Sequence, residues 1–187
     1  MKAYSNIPFA YFFTFRTYAT WLHGDARSSV DPKHNVYDTP RIKPNSSLHR
    51  AMADECLEDK FIMDKAYRKT VLKSIVDTCH YYRWHLDAAH IRSNHVHVIL
   101  RSVAAKEDVR GKLKTYATRY LKKHHPELLV RKKFWSDGGS DRNIWASEFL
   151  FATMYYVIEQ QGEKMALYYT EDYSANLASA RVGDFVL

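Results

Sequence analysis

The fold of this chain is decided by the stretch His90-Ile91-Arg92-Ser93-Asn94-His95-Val96-His97-Val98-Ile99-Leu100, which alternates as a β-strand does. In a strand, side chains two residues apart point to the same side of the sheet, so His95 and His97 project together. The opposite parity carries apolar residues that suit a hydrophobic core: Leu86, Ala88, Val96, Val98 and Leu100. The pattern predicts a strand with paired candidate metal ligands on one face and core packing on the other.

Composition narrows the class of protein. The 187 residues suffice for one domain with a substantial core, and 46% hydrophobic residues with only 6 Gly and 5 Pro exclude wholesale disorder. A formal charge of +7 with 14 Tyr, 9 Phe and 4 Trp favours a polyanionic partner with exposed bases, unless the protein is merely basic.

The 2 cysteines form no disulfide framework, so we expect a reducing, cytoplasmic location. No apolar run approaches the ~20 residues that cross a bilayer, so we expect no membrane partner.

Apolar spacing predicts alternating strands and helices along the chain. An aromatic strand at 9–18 precedes a polar loop insertion near 22–48. Three helices are expected, near residues 64–84, 106–124 and 147–161. A Gly-rich connection at 134–145 separates the last two, and an extension near 163–187 follows. This order predicts a single α+β domain over 1–187 with a largely antiparallel sheet.

The third predicted helix carries the remaining candidate catalytic groups. Tyr156 and Gln160 are four residues apart and therefore share a helical face. At roughly 100° per residue, this face lies nearly opposite an apolar stripe. The stripe consists of Phe151, Met154, Tyr155 and Ile158. We therefore expect Tyr155 in the core and Tyr156 as a nucleophile; the alternative is that Tyr156 is an ordinary surface tyrosine.

Two imidazoles and an amide oxygen form a mixed N/O ligand set with open positions. Such a set, here His95, His97 and Gln160, suits Mg²⁺ or Mn²⁺ better than a closed structural zinc site. The alternative is that the histidines are hydrogen-bonded at a surface. A tyrosine beside such an ion suits phosphoryl transfer from a nucleic acid, because the ion neutralises charge on the phosphate while the phenolate attacks phosphorus.

The histidine pair, with Asn94 before it and Val98-Ile99-Leu100 after it, resembles the HUH motif of single-tyrosine transposases. That family includes insertion-sequence transposases and the REP-associated tyrosine transposases of bacteria. The resemblance covers most of residues 9–165 in the right order. Its other segments are 14–18, 20–24, 114–119, 135–145 and 156–162.

The resemblance implies a ferredoxin-like α+β core, the HUH endonuclease fold, with the histidines on a central strand. It implies cleavage of single-stranded DNA beside a hairpin, leaving a 5′-phosphotyrosine on Tyr156 and a free 3′-OH. His95, His97 and Gln160 would hold Mg²⁺ or Mn²⁺, and a shift of one residue would move the third ligand to Gln161. The tyrosine helix of such proteins acts in trans in a homodimer or within a monomer. The resemblance also implies a bacterial protein that meets DNA at the nucleoid.

Basic residues and tryptophans near these segments are candidate contacts to a single strand, which is commonly held by alternating cations and aromatic rings. They are Arg16, Trp21, Arg92, Lys112, Arg119, Trp135 and Arg142. The alternatives are a solvated helix face for the charges on the second helix and core packing for at least one tryptophan.

The family resemblance favours a transposase over two other functions. One is a related HUH nickase that initiates rolling-circle replication or acts as a relaxase. The other is a catalytically silent protein that binds DNA hairpins. The short chain and the single helix-borne tyrosine favour the transposase, and the presence of all candidate catalytic residues disfavours the silent protein.

Overall fold

The computed structural model describes residues 7–26 and 43–179. Within this part of the chain the strands are β1 (Ala10–Arg16), β2 (His85–Ile91), β3 (His95–Arg101), β4 (Ser140–Ile144) and β5 (Ala166–Tyr169). They form one antiparallel sheet in the order β4-β1-β3-β2-β5. Most of the predicted polar loop, residues 27–42, lies outside the described residues.

Helices connect and cover these strands. They are α1 (Ser46–Asp54), α2 (Lys65–Tyr81), α3 (Lys106–His124), α4 (Glu148–Glu159) and α5 (Glu171–Ser179). The helix predicted near 64–84 is confirmed, and its start is fixed by Asp64, whose side chain accepts from the backbone N–H of Tyr67 at 2.8 Å. The helices predicted near 106–124 and 147–161 are confirmed as α3 and α4. No helix in the described residues is long and apolar enough to span a membrane.

The chain order and the strand order together define the fold. The order β1-α2-β2-β3-α3-β4, with the strands arranged β4-β1-β3-β2, is the βαββαβ topology of a ferredoxin-like domain. The α+β, ferredoxin-like prediction is therefore confirmed. β4 lies within the predicted Gly-rich connection, and β5 and α5 lie within the predicted extension.

The alternating stretch at residues 90–100 belongs to a hairpin of two strands rather than to one strand. β2 ends at Ile91 and β3 begins at His95, and the backbone N–H of Arg92 donates to the carbonyl of His95 at 2.8 Å across the turn. Because the turn is so short, the alternation around it resembles that of one continuous strand. Ser93 and Asn94 are nevertheless residue types that favour turns. The predicted parity also fails at Ala88, because the register shifts between Leu86 and Ala88 and turns Ala88 to the other face.

The sheet separates two apolar layers. α2 and α3 pack on the face that carries Phe13 of β1 and Val98 of β3. α4 and α5 pack on the other face, against Phe12 and Ile99. Since residues alternate along each strand, His95 and His97 share the parity of Ile99 and lie on the face toward α4. This second face holds the candidate site.

Candidate active site

The two histidines of β3 lie side by side in the sheet. In the register between β1 and β3, His95 is opposite Arg16 and His97 is opposite Thr14. The ring centroids of His95 and His97 are 4.7 Å apart, and His97 is only 4% exposed. The prediction that both imidazoles share one face is confirmed.

Each histidine has its Nδ1 atom held by a neighbouring oxygen. Nδ1 of His95 lies 2.7 Å from Oδ1 of Asn94, and Nδ1 of His97 lies 2.8 Å from Oγ1 of Thr14. The amide oxygen of Asn94 can only accept, so Nδ1 of His95 donates, and Thr14 can accept in the same way. With the proton on Nδ1, the Nε2 lone pair of each ring is free to bind a cation. Neither Asn94 nor Thr14 was a candidate site residue, although Asn94 is adjacent to the motif and Thr14 begins the resembling segment 14–18.

The amide that meets the histidines belongs to Gln161. Its Oε1 lies 3.1 Å from Nε2 of His97. Gln160, the residue named in the ligand prediction, is the C-cap of α4 and is exposed. The geometry therefore favours the alternative register, with Gln161 in the position that was expected for Gln160.

The buried stripe of α4 explains this shift. Its fully buried residues are Met154, Val157 and Ile158. Gln161 follows Val157 by four residues and so continues this stripe toward the sheet. Of the stripe predicted from Phe151, Met154, Tyr155 and Ile158, Met154 and Ile158 are buried, whereas Phe151 and Tyr155 are half-buried and pack at its flank.

Tyr156 lies beside the histidines at the edge of the α4 interface. Its ring is half-buried, with the ring centroid 6.1 Å from that of His97 and 6.1 Å from that of Phe12. Tyr155 packs against the core as expected, but it is only half-buried, and Tyr156 packs against the same core. The two tyrosines differ in the direction of their side chains rather than in burial, because only the ring of Tyr156 lies beside that of His97.

Burial keeps both imidazoles neutral. Burial, together with the nearby charges of Arg16 and Arg92, lowers the pKa of His95 to about 4. Burial likewise lowers the pKa of His97 to about 3, with His95 as the second cause. Neutral imidazole is the form that binds a cation, so both rings are in the ligand form at neutral pH.

The donor set fits a small divalent cation. Ligands at about 2.1 Å from an octahedral Mg²⁺, at right angles to one another, are roughly 3 Å apart. Nε2 of His97 and Oε1 of Gln161 are 3.1 Å apart, a hydrogen-bond distance that also allows both atoms to bind one cation. Within the described residues no three His, Cys, Asp or Glu side chains are placed to hold a metal ion together. The candidate donor set is two imidazoles and an amide oxygen.

The candidate DNA contacts divide between the two faces of the sheet. Arg142 is exposed on the edge strand opposite Phe12, and the guanidinium of Arg16 lies 3.3 Å from the centre of the Trp21 ring. Arg16 and Trp21 line an open cleft of about 900 Å³ that also borders Thr14. These positions surround the histidine side of the sheet.

The remaining candidates lie on the other side of the sheet or already hold a backbone carbonyl. Lys112 and Arg119 lie on α3, across the sheet from the histidines, over the rings of Tyr82 and Tyr116. Trp135 lines the cleft but is anchored, because its Nε1 donates to the carbonyl of Lys114 at 3.1 Å. The guanidinium of Arg92 donates to a backbone carbonyl in the turn after α4.

Comparison with known proteins adds a family and two structures. A family model described as "Transposase IS200 like" matches residues 56–168, which contain β2, β3, α3, β4 and α4. A structure of a REP-associated tyrosine transposase bound to a REP hairpin is similar, with 10% identity, a TM-score of 0.45 and coverage of 86% of this chain and 70% of that chain. A candidate transposase from Deinococcus radiodurans R1 has 16% identity, a TM-score of 0.43 and coverage of 82% and 91%. No curated protein matches.

Proposed function

We propose, for a chain that belongs to the IS200-like transposase family, that it cleaves and rejoins single-stranded DNA through a phosphotyrosine intermediate on Tyr156. Transposition, and with it DNA recombination, is the activity of the family. The observation that carries the finer proposal is that Tyr156 and Gln161, at the end of α4, face His95 and His97 on β3. The family resemblance of the sequence and the geometry of the site support the same reaction.

Three side chains of this site would hold the cation: His95 and His97 through Nε2, and Gln161 through Oε1. Mg²⁺ or Mn²⁺ suits this mixture of nitrogen and oxygen ligands. When bound, the ion polarises a phosphate oxygen and offsets the negative charge that develops on phosphorus. Asn94 would keep His95 in the required tautomer, because its amide oxygen accepts from Nδ1, and Thr14 would orient the ring of His97.

The chemical step exchanges one phosphodiester bond for another. The phenol of Tyr156 gives up its proton to solvent, which returns a proton to the departing 3′ oxygen, and the phenolate oxygen attacks phosphorus to form the P–O bond of a 5′-phosphotyrosine. The bond from phosphorus to the 3′ oxygen breaks, and that oxygen takes up a proton to become a free 3′-OH. A later attack by a 3′-OH on the same phosphorus reverses the step and releases Tyr156. No external energy source is needed, because the phosphotyrosine bond conserves the energy of the phosphodiester bond that was broken.

Arg16, Trp21 and Arg142 surround this site and would hold the single strand near Tyr156, with a hairpin beside the cleavage site. An arginine contributes a charge to phosphate, and an indole ring offers a stacking platform for a base. Arg92 and Trp135 are weaker candidates, because each already holds a backbone carbonyl.

Covalent trapping tests this proposal. Wild type is incubated with Mn²⁺ and a pool of single strands that carry a hairpin with randomised flanks, labelled at the 3′ end. We expect a labelled protein–DNA adduct that survives denaturation, because a 5′-phosphotyrosine retains the 3′ part of the substrate. The adduct should disappear in Tyr156→Phe and persist in the matched variant Tyr155→Phe.

Each other outcome removes a defined part of the proposal. An adduct that persists in Tyr156→Phe and disappears in Tyr155→Phe moves the nucleophile by one residue. An adduct that forms in EDTA removes the cation from the proposal. Hairpin binding without any adduct in wild type indicates a silent DNA-binding member of the family.

A further inference from the structure

His90 lies between the histidine strand and the end of α4, and the site described so far does not use it. It is on β2, opposite His97 in the register, and its side chain is 0% exposed. Its Nδ1 lies 2.8 Å from the carbonyl oxygen of Val157, and its Nε2 lies 3.2 Å from the backbone nitrogen of Met165. A carbonyl only accepts and a backbone N–H only donates, so His90 donates from Nδ1 and accepts at Nε2.

The two partners of His90 bracket the turn that carries the amide of the site. Val157 follows Tyr156 in the last turns of α4, and Met165 immediately precedes β5. Between them lie Gln161 and Gly162, and Gly162 has a φ of +73°, a conformation that L side chains rarely adopt. The chain therefore reverses direction within a few residues, and His90 is bonded to both ends of the reversal.

Other contacts reinforce the same turn. The guanidinium of Arg92, two residues after His90, donates to the carbonyl of Glu163. The amide nitrogen of Gln161 donates to the carbonyl of Tyr156 at 3.1 Å, which links the amide to the backbone of the tyrosine. The turn between α4 and β5 is thus held from β2 at Val157, Glu163 and Met165.

We propose that His90 is a positioning residue that holds the turn between α4 and β5, so that Gln161 and Tyr156 face His95 and His97. This inference rests on the proposed function for its catalytic consequence. An apolar ring at position 90 would fill the same volume but would leave the carbonyl of Val157 and the N–H of Met165 without partners. A positioning role therefore requires the two nitrogen atoms, whereas a packing role requires only the ring.

Substitution at position 90 separates these roles in the full-length chain. His90→Phe keeps a ring and removes both hydrogen bonds, whereas His90→Asn keeps a donor that can reach the carbonyl of Val157. Ile91→Val is the matched control, because Ile91 is the next residue, is fully buried and faces the opposite core. The measurements are the Mn²⁺ dissociation constant, the single-turnover rate of adduct formation at saturating DNA, and hairpin affinity.

We expect His90→Phe to weaken Mn²⁺ binding by about 10- to 100-fold, the range for loss of a residue that orients a ligand. The adduct should form more slowly by a similar factor, with hairpin affinity unchanged, and His90→Asn should recover part of both losses. A His90→Phe variant that matches Ile91→Val in Mn²⁺ affinity and rate overturns the proposal.

A measurement on unsubstituted protein keeps the inference testable if His90→Phe does not fold. Long-range ¹H–¹⁵N spectra should report His90 as a neutral ring with its proton on Nδ1. A proton on Nε2 would overturn the assignment of both hydrogen bonds. If wild type forms no adduct, the proposed function fails, whereas an active wild type with an indifferent His90→Phe removes the positioning role alone.

Discussion

The two faces of the central sheet differ in what they bury. Toward α2 and α3, β3 presents Val96, Val98 and Leu100 to an apolar core. Toward α4, the same strand presents His95 and His97, and the adjacent strands add polar side chains. The period of two along a strand therefore divides β3 between core packing and chemistry.

The difference between the two faces shows how a small domain keeps polar groups in its interior. Burial of apolar surface stabilises by roughly 25 cal/mol per Å², whereas burial of a polar group costs free energy unless it is hydrogen-bonded. On the α4 side the buried polar rings have partners: His90 bonds to the backbone of Val157, and Nδ1 of His97 bonds to Thr14. We therefore expect the face under α2 and α3 to supply most of the folding free energy, and the face under α4 to supply the chemistry.

The largest expected effect is on stability and comes from the apolar face. Leu113 of α3 is fully buried, and Leu113→Ala should lower the free energy of unfolding by about 2–5 kcal/mol, because it leaves a cavity in a close-packed core. Urea denaturation measures this change. The rate of adduct formation per folded molecule should stay the same. A loss of less than about 1 kcal/mol would mean that the α2–α3 face does not dominate stability.

An intermediate effect is expected on the chemical face, at the amide. Gln161→Ala should weaken Mn²⁺ binding by at least about 10-fold, or roughly 1.4 kcal/mol, because it removes one oxygen from the donor set. Gln160→Ala is the matched control and should bind Mn²⁺ as wild type does, since Gln160 is exposed. Calorimetric titration distinguishes the two variants. The reverse result would return the ligand to Gln160.

The smallest effect is expected on DNA binding, and it compares charges on opposite sides of the sheet. Arg142→Gln, on the edge strand next to the site, should reduce the slope of log K against log salt by about 0.7, the value for one phosphate contact on a single strand. Lys112→Gln and Arg119→Gln, on α3, should leave the slope unchanged. Equal losses from all three variants would mean that DNA crosses both faces of the domain.

The fold was predictable because its signals are local. α2 and α3 each show an apolar stripe at helical spacing, and Asp64 caps the first of them. The alternation around His95 and His97 placed both rings on one side of a strand, as the structure has them. The division of that stretch into a hairpin was missed, because the turn occupies only the few residues between Ile91 and His95.

The candidate site was predictable only in part. His95, His97 and Tyr156 were candidates from spacing and family resemblance, and the structure brings their rings together, although the nucleophilic role of Tyr156 stays a prediction. Gln160 was assigned as the third ligand from its spacing to Tyr156 and from the family resemblance, whereas the structure has Gln161 in contact with His97, so the identity of the ligand stays a prediction. Periodicity within a helix of 12 residues leaves the centre of its apolar stripe uncertain by a residue until a partner surface is known.

By itself, the sequence determined the alternation that divides β3 between core and chemistry, since side-chain direction along a strand follows from backbone geometry alone. Only the tertiary structure decided that Thr14 would hold one imidazole, that Gln161 rather than Gln160 would meet the histidines, and that His90 would secure the turn beside them. These contacts join residues 83, 64 and 67 positions apart in the chain. Such pairs depend on strand register and on how a helix ends against the sheet, and local spacing carries no information about either.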